Sequence, residues 1–114
     1  MATYTTLTGT YTSATTKYSY TLDADKSYIL DQDNENTVTD YEFTLPTIED
    51  ATKVHQIVIK MRTLNSLDVD WGTTVYFNGE EPVTTSGGLF TVFYDYNPIT
   101  EAWTVGVISE ETAA

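Results

Sequence analysis

Between His55 and Arg62 the chain alternates without a break: His55, Ile57, Ile59 and Met61 fall on one side of an extended backbone, and Gln56, Val58, Lys60 and Arg62 on the other. A period of two marks a strand with one face turned to a core, because successive side chains of a strand point to opposite faces. The same period recurs at Tyr18, Tyr20 and Leu22, at Tyr41, Phe43 and Leu45, and at Val69 and Trp71. Two further runs, Leu89 to Tyr94 and Trp103 to Ile108, are dense in aromatic and β-branched residues, which suit a pleated, half-buried surface. In the first of these, Phe90, Val92 and Tyr94 oppose Leu89, Thr91 and Phe93, so both faces are partly apolar, as in a central strand covered on both sides.

Turn residues separate these runs. Asn78-Gly79, Pro82 and Gly87-Gly88 lie between Trp71 and Phe90, and Asn97-Pro98 lies between Tyr94 and Trp103. Val75 to Phe77 leads into Asn78-Gly79, which is a hairpin signal. Pro46 closes the strand at Tyr41 by removing a backbone donor, and Thr47 to Lys53 is too short and poorly patterned for a helix. The pattern predicts an all-β fold, an antiparallel β-sandwich or jelly roll of about eight short strands. Its core is predicted to include Phe43, Ile57, Ile59, Trp71, Phe90, Val92, Trp103 and Val105, which share inward parity. No repeat of about 20 to 50 residues is visible, which argues against a solenoid.

A chain of 114 residues is long enough for one domain with one core. Residues 17–114 read as a single β-sandwich domain ending in a frayed SEETAA. Residues 1–16, rich in Thr and Tyr and broken at Gly9, read as an edge strand or as an arm lying on a neighbouring subunit. The formal net charge of −12 excludes phosphate or anionic lipid as a partner surface, since those need clustered Lys and Arg and only five basic residues exist. With no cysteine there is no disulfide, thiolate metal site or cysteine nucleophile. The N-terminus has neither a basic nor an apolar targeting segment, and no window approaches the ~20 apolar residues of a membrane-spanning helix.

Three constellations invite a chemical reading. Asp31, Asp33, Glu35, Thr37, Thr39 and Glu42 fall at the spacing of oxygen ligands in a twelve-residue calcium loop, but Asn36 stands where that loop needs Gly and the flanks read as strands. An ordinary solvated acidic loop is therefore expected, with no metal and no cofactor. His55 is the only histidine, and its parity with Ile57 makes it a satisfied rim residue rather than a ligand or base. No serine sits in a nucleophile elbow or other catalytic motif, so the sequence predicts no enzyme. Among the nine tyrosines, Tyr4, Tyr11, Tyr76 and Tyr96 are candidates for stacking on a glycan or for an interface, whereas both tryptophans share parity with aliphatics and are assigned to the core.

The phrase FTLPT, a strand of alternating Ile and Met, VDWGTTVYFNGEEPV, SGGLFTVFYDYN and AWTVG together resemble a small β-sandwich module of bacteriophage tail fibres and other virion structural proteins. The matching positions are Phe43 to Thr47, Ile57 to Met61, Trp71, Phe77, Gly79, Pro82, Phe90 to Asp95 and Trp103 to Gly106. Phe77 stands where the family often has tryptophan, and Leu89 where it usually has aspartate. The resemblance covers about Tyr41 to Val107. It implies a structural virion protein assembled in the host cytoplasm, either capsid-decorating or at a fibre tip, with other virion proteins and copies of itself, possible trimers included, as partners. Met1 ahead of the module adds the expectation of a small freestanding subunit. The rival expectation is a carbohydrate-binding module used in host-surface recognition.

Overall fold

The computed structural model of the protein describes residues 4–31, 38–62, 68–72, 75–77 and 89–110. Among these residues lie ten strands and no helix: β1 (Thr5–Thr6), β2 (Thr10–Thr12), β3 (Lys17–Thr21), β4 (Ser27–Asp31), β5 (Asp40–Thr44), β6 (His55–Arg62), β7 (Asp68–Asp70), β8 (Val75–Phe77), β9 (Leu89–Asn97) and β10 (Ala102–Glu110). They form two sheets. One has six strands in the order β1-β4-β6-β9-β10-β8, and the other four in the order β2-β3-β5-β7.

The expectation of antiparallel pairing is corrected by the register. The pairs β1–β4, β4–β6, β3–β5, β5–β7 and β8–β10 are parallel, and only β2–β3, β6–β9 and β9–β10 are antiparallel. The cause is the path of the chain. From β3 to β7 it lays strands alternately in the four-stranded and the six-stranded sheet, and each crossing reverses its direction, so strands two apart return side by side and parallel. A parallel pair needs a crossover of about a dozen residues, and the intervening strand in the opposite sheet supplies it. The chain thus winds as a solenoid does over this stretch, although no sequence repeat announces it. Period-two alternation requires each strand to have an inner face, not each turn to resemble the last.

Two hairpins close the ends of this winding. β2–β3 and β9–β10 each turn through four residues, Ser13 to Thr16 and Pro98 to Glu101, between the paired ends Thr12↔Lys17 and Asn97↔Ala102. In both, the last loop residue is left-handed, with φ of 49° at Thr16 and 52° at Glu101. The Asn97 side chain accepts a hydrogen bond from the Ile99 amide at 2.9 Å, so the predicted Asn-Pro turn is an Asx turn. Among the described strands β8 pairs only with β10, and both edges of β9 are taken by β6 and β10. Asn78-Gly79, Pro82 and Gly87-Gly88 lie outside the described residues.

The two sheets share one core. All eight residues assigned to it from the sequence are buried, with Ile57, Ile59, Val92 and Val105 wholly so. Across the inner face of the four-stranded sheet runs an aromatic ladder, Tyr11–Tyr18–Tyr20–Phe43–Trp71, with successive ring centroids 5.0, 5.9, 5.6 and 5.9 Å apart. The Tyr94 hydroxyl, from the other sheet, donates to the Trp71 carbonyl at 2.7 Å and joins the layers. Loss of water around the phenol raises the Tyr41 hydroxyl to about 12, and burial moves Tyr20 and Tyr94 upward in the same way.

Residues 4–16 belong to this body. β1 forms one edge of the six-stranded sheet and β2 one edge of the four-stranded sheet, while Leu7 between them is buried and donates its amide to the Ile29 carbonyl at 2.8 Å. The described part of residues 1–16 thus supplies two edge strands. Gly9 carries the crossing: a Cβ there would lie 2.6 Å from the Tyr20 ring and 2.7 Å from the Ser19 carbonyl.

Candidate interaction surface

Each sheet has a second face that turns away from the core, and these two faces differ in chemistry. On the four-stranded sheet the outward positions carry Lys17 and Ser19 on β3, Asp40 and Glu42 on β5, and Asp68 and Asp70 on β7, with threonines on β2. Four carboxylates face one ammonium. Lys17 reaches Glu42 at 3.2 Å, Ser19 donates to Glu42 at 3.4 Å, and Asp70 accepts from the Gly72 amide at 3.1 Å. This is a hydrophilic, self-repelling surface.

On the six-stranded sheet the register places Ile29, Val58, Leu89, Phe93, Ile108 and Tyr76 outward. Ile108 and Tyr76 remain 58% and 57% exposed, and Phe93 and Leu89 more than a third exposed, so this face carries exposed apolar side chains among polar and charged ones. β9 is central, as its pattern predicts, but its second face has no cover among the described residues. Gly106 sits opposite Phe93, and a Cβ at that position would meet no atom within 4 Å. The hollow there, bounded by Phe93, Asp95, Thr104 and Ile108, measures about 300 Å³. A second hollow of about 300 Å³ lies where Ile29, Lys60, Arg62 and Leu89 meet.

This second face also carries charges. Arg62 grips Asp31 with two hydrogen bonds of 2.7 Å, a bidentate pair that holds the guanidinium above its ordinary range. Lys60 donates to Thr91 Oγ1 at 2.8 Å, which accounts for a threonine buried among outward positions. Asp95 accepts from Gln56 at 2.9 Å. Lys60, Arg62, Asp31 and Asp95 are the charged residues of this face whose side chains are described, and Glu110 stands at the register position beside Leu89.

The residues singled out from sequence do not converge on one site. Asp31 ends β4 in one sheet and faces Arg62, whereas Glu42 lies on β5 in the other and faces Lys17. Asp33 and Glu35 lie outside the described residues, and among those described no cluster of three His, Asp or Glu side chains could hold a metal ion. Tyr96 is corrected to a core residue. It shares inward parity with Val92 and Tyr94, is only 6% exposed and packs on Trp103 at 5.5 Å, a placement its spacing from Tyr94 already encoded. Tyr11 is half-buried against Tyr18. Tyr4 and Tyr76 are exposed, but they lie next to β1 and on β8, opposite edges of the six-stranded sheet.

His55 is held more tightly than a rim residue need be. Its Nδ1 lies 2.8 Å from Asp25 Oδ2 and its Nε2 3.1 Å from the Asp50 carbonyl, while Asp25 Oδ1 accepts the Gln56 amide at 3.1 Å. Both partners of the ring accept and neither donates, so the imidazolium satisfies the site and the neutral ring does not. The hydrogen bond to Asp25 raises the His55 pKa, helped by the Asp50 carbonyl, and the same contact with His55 lowers that of Asp25. This clamp joins the turn before β4 to the loop before β6.

Among the described residues the fold is two-sheet and all-β, with one acidic outer face and one that mixes apolar with charged residues. Comparison with family models, with curated proteins and with solved structures finds no match for this chain.

Proposed function

We propose that this protein is a structural component of a bacteriophage particle, a capsid-decorating protein or fibre-tip subunit that acts through protein–protein contacts. The observation that carries the reading is the outer face of the six-stranded sheet, where Leu89, Phe93, Ile108 and Tyr76 are the exposed apolar side chains among the described residues. Exposed apolar side chains grouped on one face of a domain mark an interaction site. The virion-like phrases support the same reading, since Ile57 to Met61, Phe90 to Asp95 and Trp103 to Gly106 become neighbours in β6, β9 and β10 at the centre of that sheet. The partners are other virion subunits and copies of this chain. Carbohydrate binding keeps one specific support, a cleft of about 400 Å³ bordered by Trp103, Glu42 and Asp70, but Trp103 is 6% exposed and offers no open ring face for stacking. The deciding experiment is mass spectrometry and labelling microscopy of purified particles. The chain is expected as a stoichiometric particle protein; its absence from particles, or reproducible hits for the folded protein on a glycan array, overturns the assignment.

A further inference from the structure

We infer that the end of the sandwich at which β4, β6 and β10 begin docks into a protein of different sequence, the Ile99 side chain entering an apolar pocket whose rim carries Lys or Arg. The inference rests on the assembly reading for the partner's being another subunit of the particle. The rest of it comes from the shape and charge of this end.

Register brings three loops out together. β4 and β6 are parallel, β9 runs against β6 with Tyr96 opposite His55, and Ala102 at the start of β10 lies opposite Asn97. Residues 22–26, 45–54 and 98–101 therefore share one end. The two most exposed large apolar side chains among the described residues stand there, Ile99 at 91% and Val54 at 65%. A single exposed aliphatic is ordinary. What sets Ile99 apart is how firmly its backbone is held. The Asn97 side chain accepts the Ile99 amide at 2.9 Å, the Thr100 hydroxyl donates to the Asn97 carbonyl at 3.5 Å, and Pro98 fixes its own φ between them. The fold gains no packing from a side chain that stays in water, whereas a knob already fixed by its turn loses little freedom on entering a pocket.

Charge names the kind of partner. At this end Asp23 pairs with Lys26 at 3.4 Å, Asp50 with Lys53 at 3.6 Å and Asp25 with His55 at 2.8 Å. Glu49 and Glu101 are exposed and form no ion pair among the described residues, so the end is left acidic and its complement is basic. A second copy does not supply that complement. All five of its Lys and Arg are engaged: Lys17 by Glu42, Lys26 by Asp23, Lys53 by Asp50, Arg62 by Asp31 and Lys60 by Thr91. Two chains at −12 also repel each other, as an anionic membrane repels either.

Photo-crosslinking in assembled particles tests the inference, with p-benzoylphenylalanine in place of Ile99 in the full chain. A crosslink from position 99 to one particle protein other than this chain is expected. Purified chain is then titrated onto particles assembled without it. Ile99→Asp should weaken that binding at least about tenfold, as loss of an anchoring side chain does, and Ile99→Val should keep most of it. Because Ile99 is 91% exposed, Ile99→Asp should melt with wild type, which separates lost docking from lost folding. Glu101→Lys should weaken binding by a smaller factor, and raising salt from about 0.05 to 0.5 M should weaken the wild type. A crosslink only to another copy, or sedimentation of the wild-type chain with phosphatidylcholine or phosphatidylglycerol vesicles that Ile99→Asp abolishes, overturns the inference. Particle binding that Ile99→Asp leaves unchanged overturns it while the assembly reading stands, whereas wild-type chain that binds no particle overturns both.

Discussion

The inner faces of the two sheets are alike and the outer faces are not. Inside, both present aromatic and branched aliphatic residues at every second position, from Tyr18, Tyr20, Tyr41 and Phe43 on one side to Ile57, Ile59, Val92 and Val105 on the other. Outside, the four-stranded sheet is threonine and carboxylate, while the six-stranded sheet carries a strip of Ile29, Val58, Phe93 and Ile108. The difference shows that the acidity of this chain is not one property spread evenly over its surface. Among the described residues it weighs more on the outer face of the four-stranded sheet than on that of the six-stranded one.

The largest break in this picture comes from removing an inner residue. Trp103 is 6% exposed and meets the edges of Tyr94 and Tyr96 with ring centroids 6.3 and 5.5 Å away. Truncating such a buried aromatic costs about 3 to 5 kcal/mol, out of about 5 to 15 for a whole domain. Trp103→Ala should therefore lie close to unfolded at room temperature by circular dichroism. A melting temperature within a couple of degrees of wild type would mean that Trp103 supports no core and would return it to the pool of sugar-stacking candidates.

Two glycines give the next contrast. Gly9→Ala drives a methyl into the Tyr20 ring and the Ser19 carbonyl, backbone included, and overpacking of that kind costs about 1 to 3 kcal/mol. Gly106→Ala meets open space and should instead stabilise the strand by about 0.5 to 1 kcal/mol. Chemical denaturation of both variants checks the signs. If the two free-energy changes share a sign, the outer face at Gly106 is not open and the contrast between inside and outside fails there.

Much of this was legible in the sequence, and the part that was not has a definite physical cause. Alternation fixes which face a residue takes, so the strand at His55 to Arg62 and the eight core residues follow directly from it. It carries no information on which strand lies alongside. Hairpin pairings such as β9–β10 can be read from a turn, but β3–β5 and β5–β7 are joined by chain that first visits the other sheet, and no local signal records that detour. Tyr96, offered as a glycan or interface aromatic, was readable and missed: its parity with Val92 and Tyr94 turns it inward. The clamp on His55 was not readable, because Asp25 and Asp50 reach it from loops 30 and 5 residues away in sequence.

That clamp supplies the smallest expected effect, and it tests whether the six-stranded layer depends on charge in its own way. His55 has a folded pKa raised above 6.5, so the stability it contributes is fully present below 6.5 and is lost as pH rises through the folded value. Asp25 has a folded pKa lowered from 3.8, so its contribution is present above 3.8 and is lost as pH falls through the folded value. The pair is therefore at full strength between 3.8 and 6.5, with Asp25 59% exposed and the attraction correspondingly screened. Replacing His55 with Gln leaves a single amide nitrogen in place of two separate ring nitrogens, and no charge. The gap in melting temperature between wild type and His55→Gln should be small, largest near pH 5.5, and narrower by pH 8.5. Taking a difference cancels the seventeen acidic residues that both proteins share. A gap of equal size at both pH values would mean that the ring is held neutral, and that the two acceptors around it are not what fixes its charge.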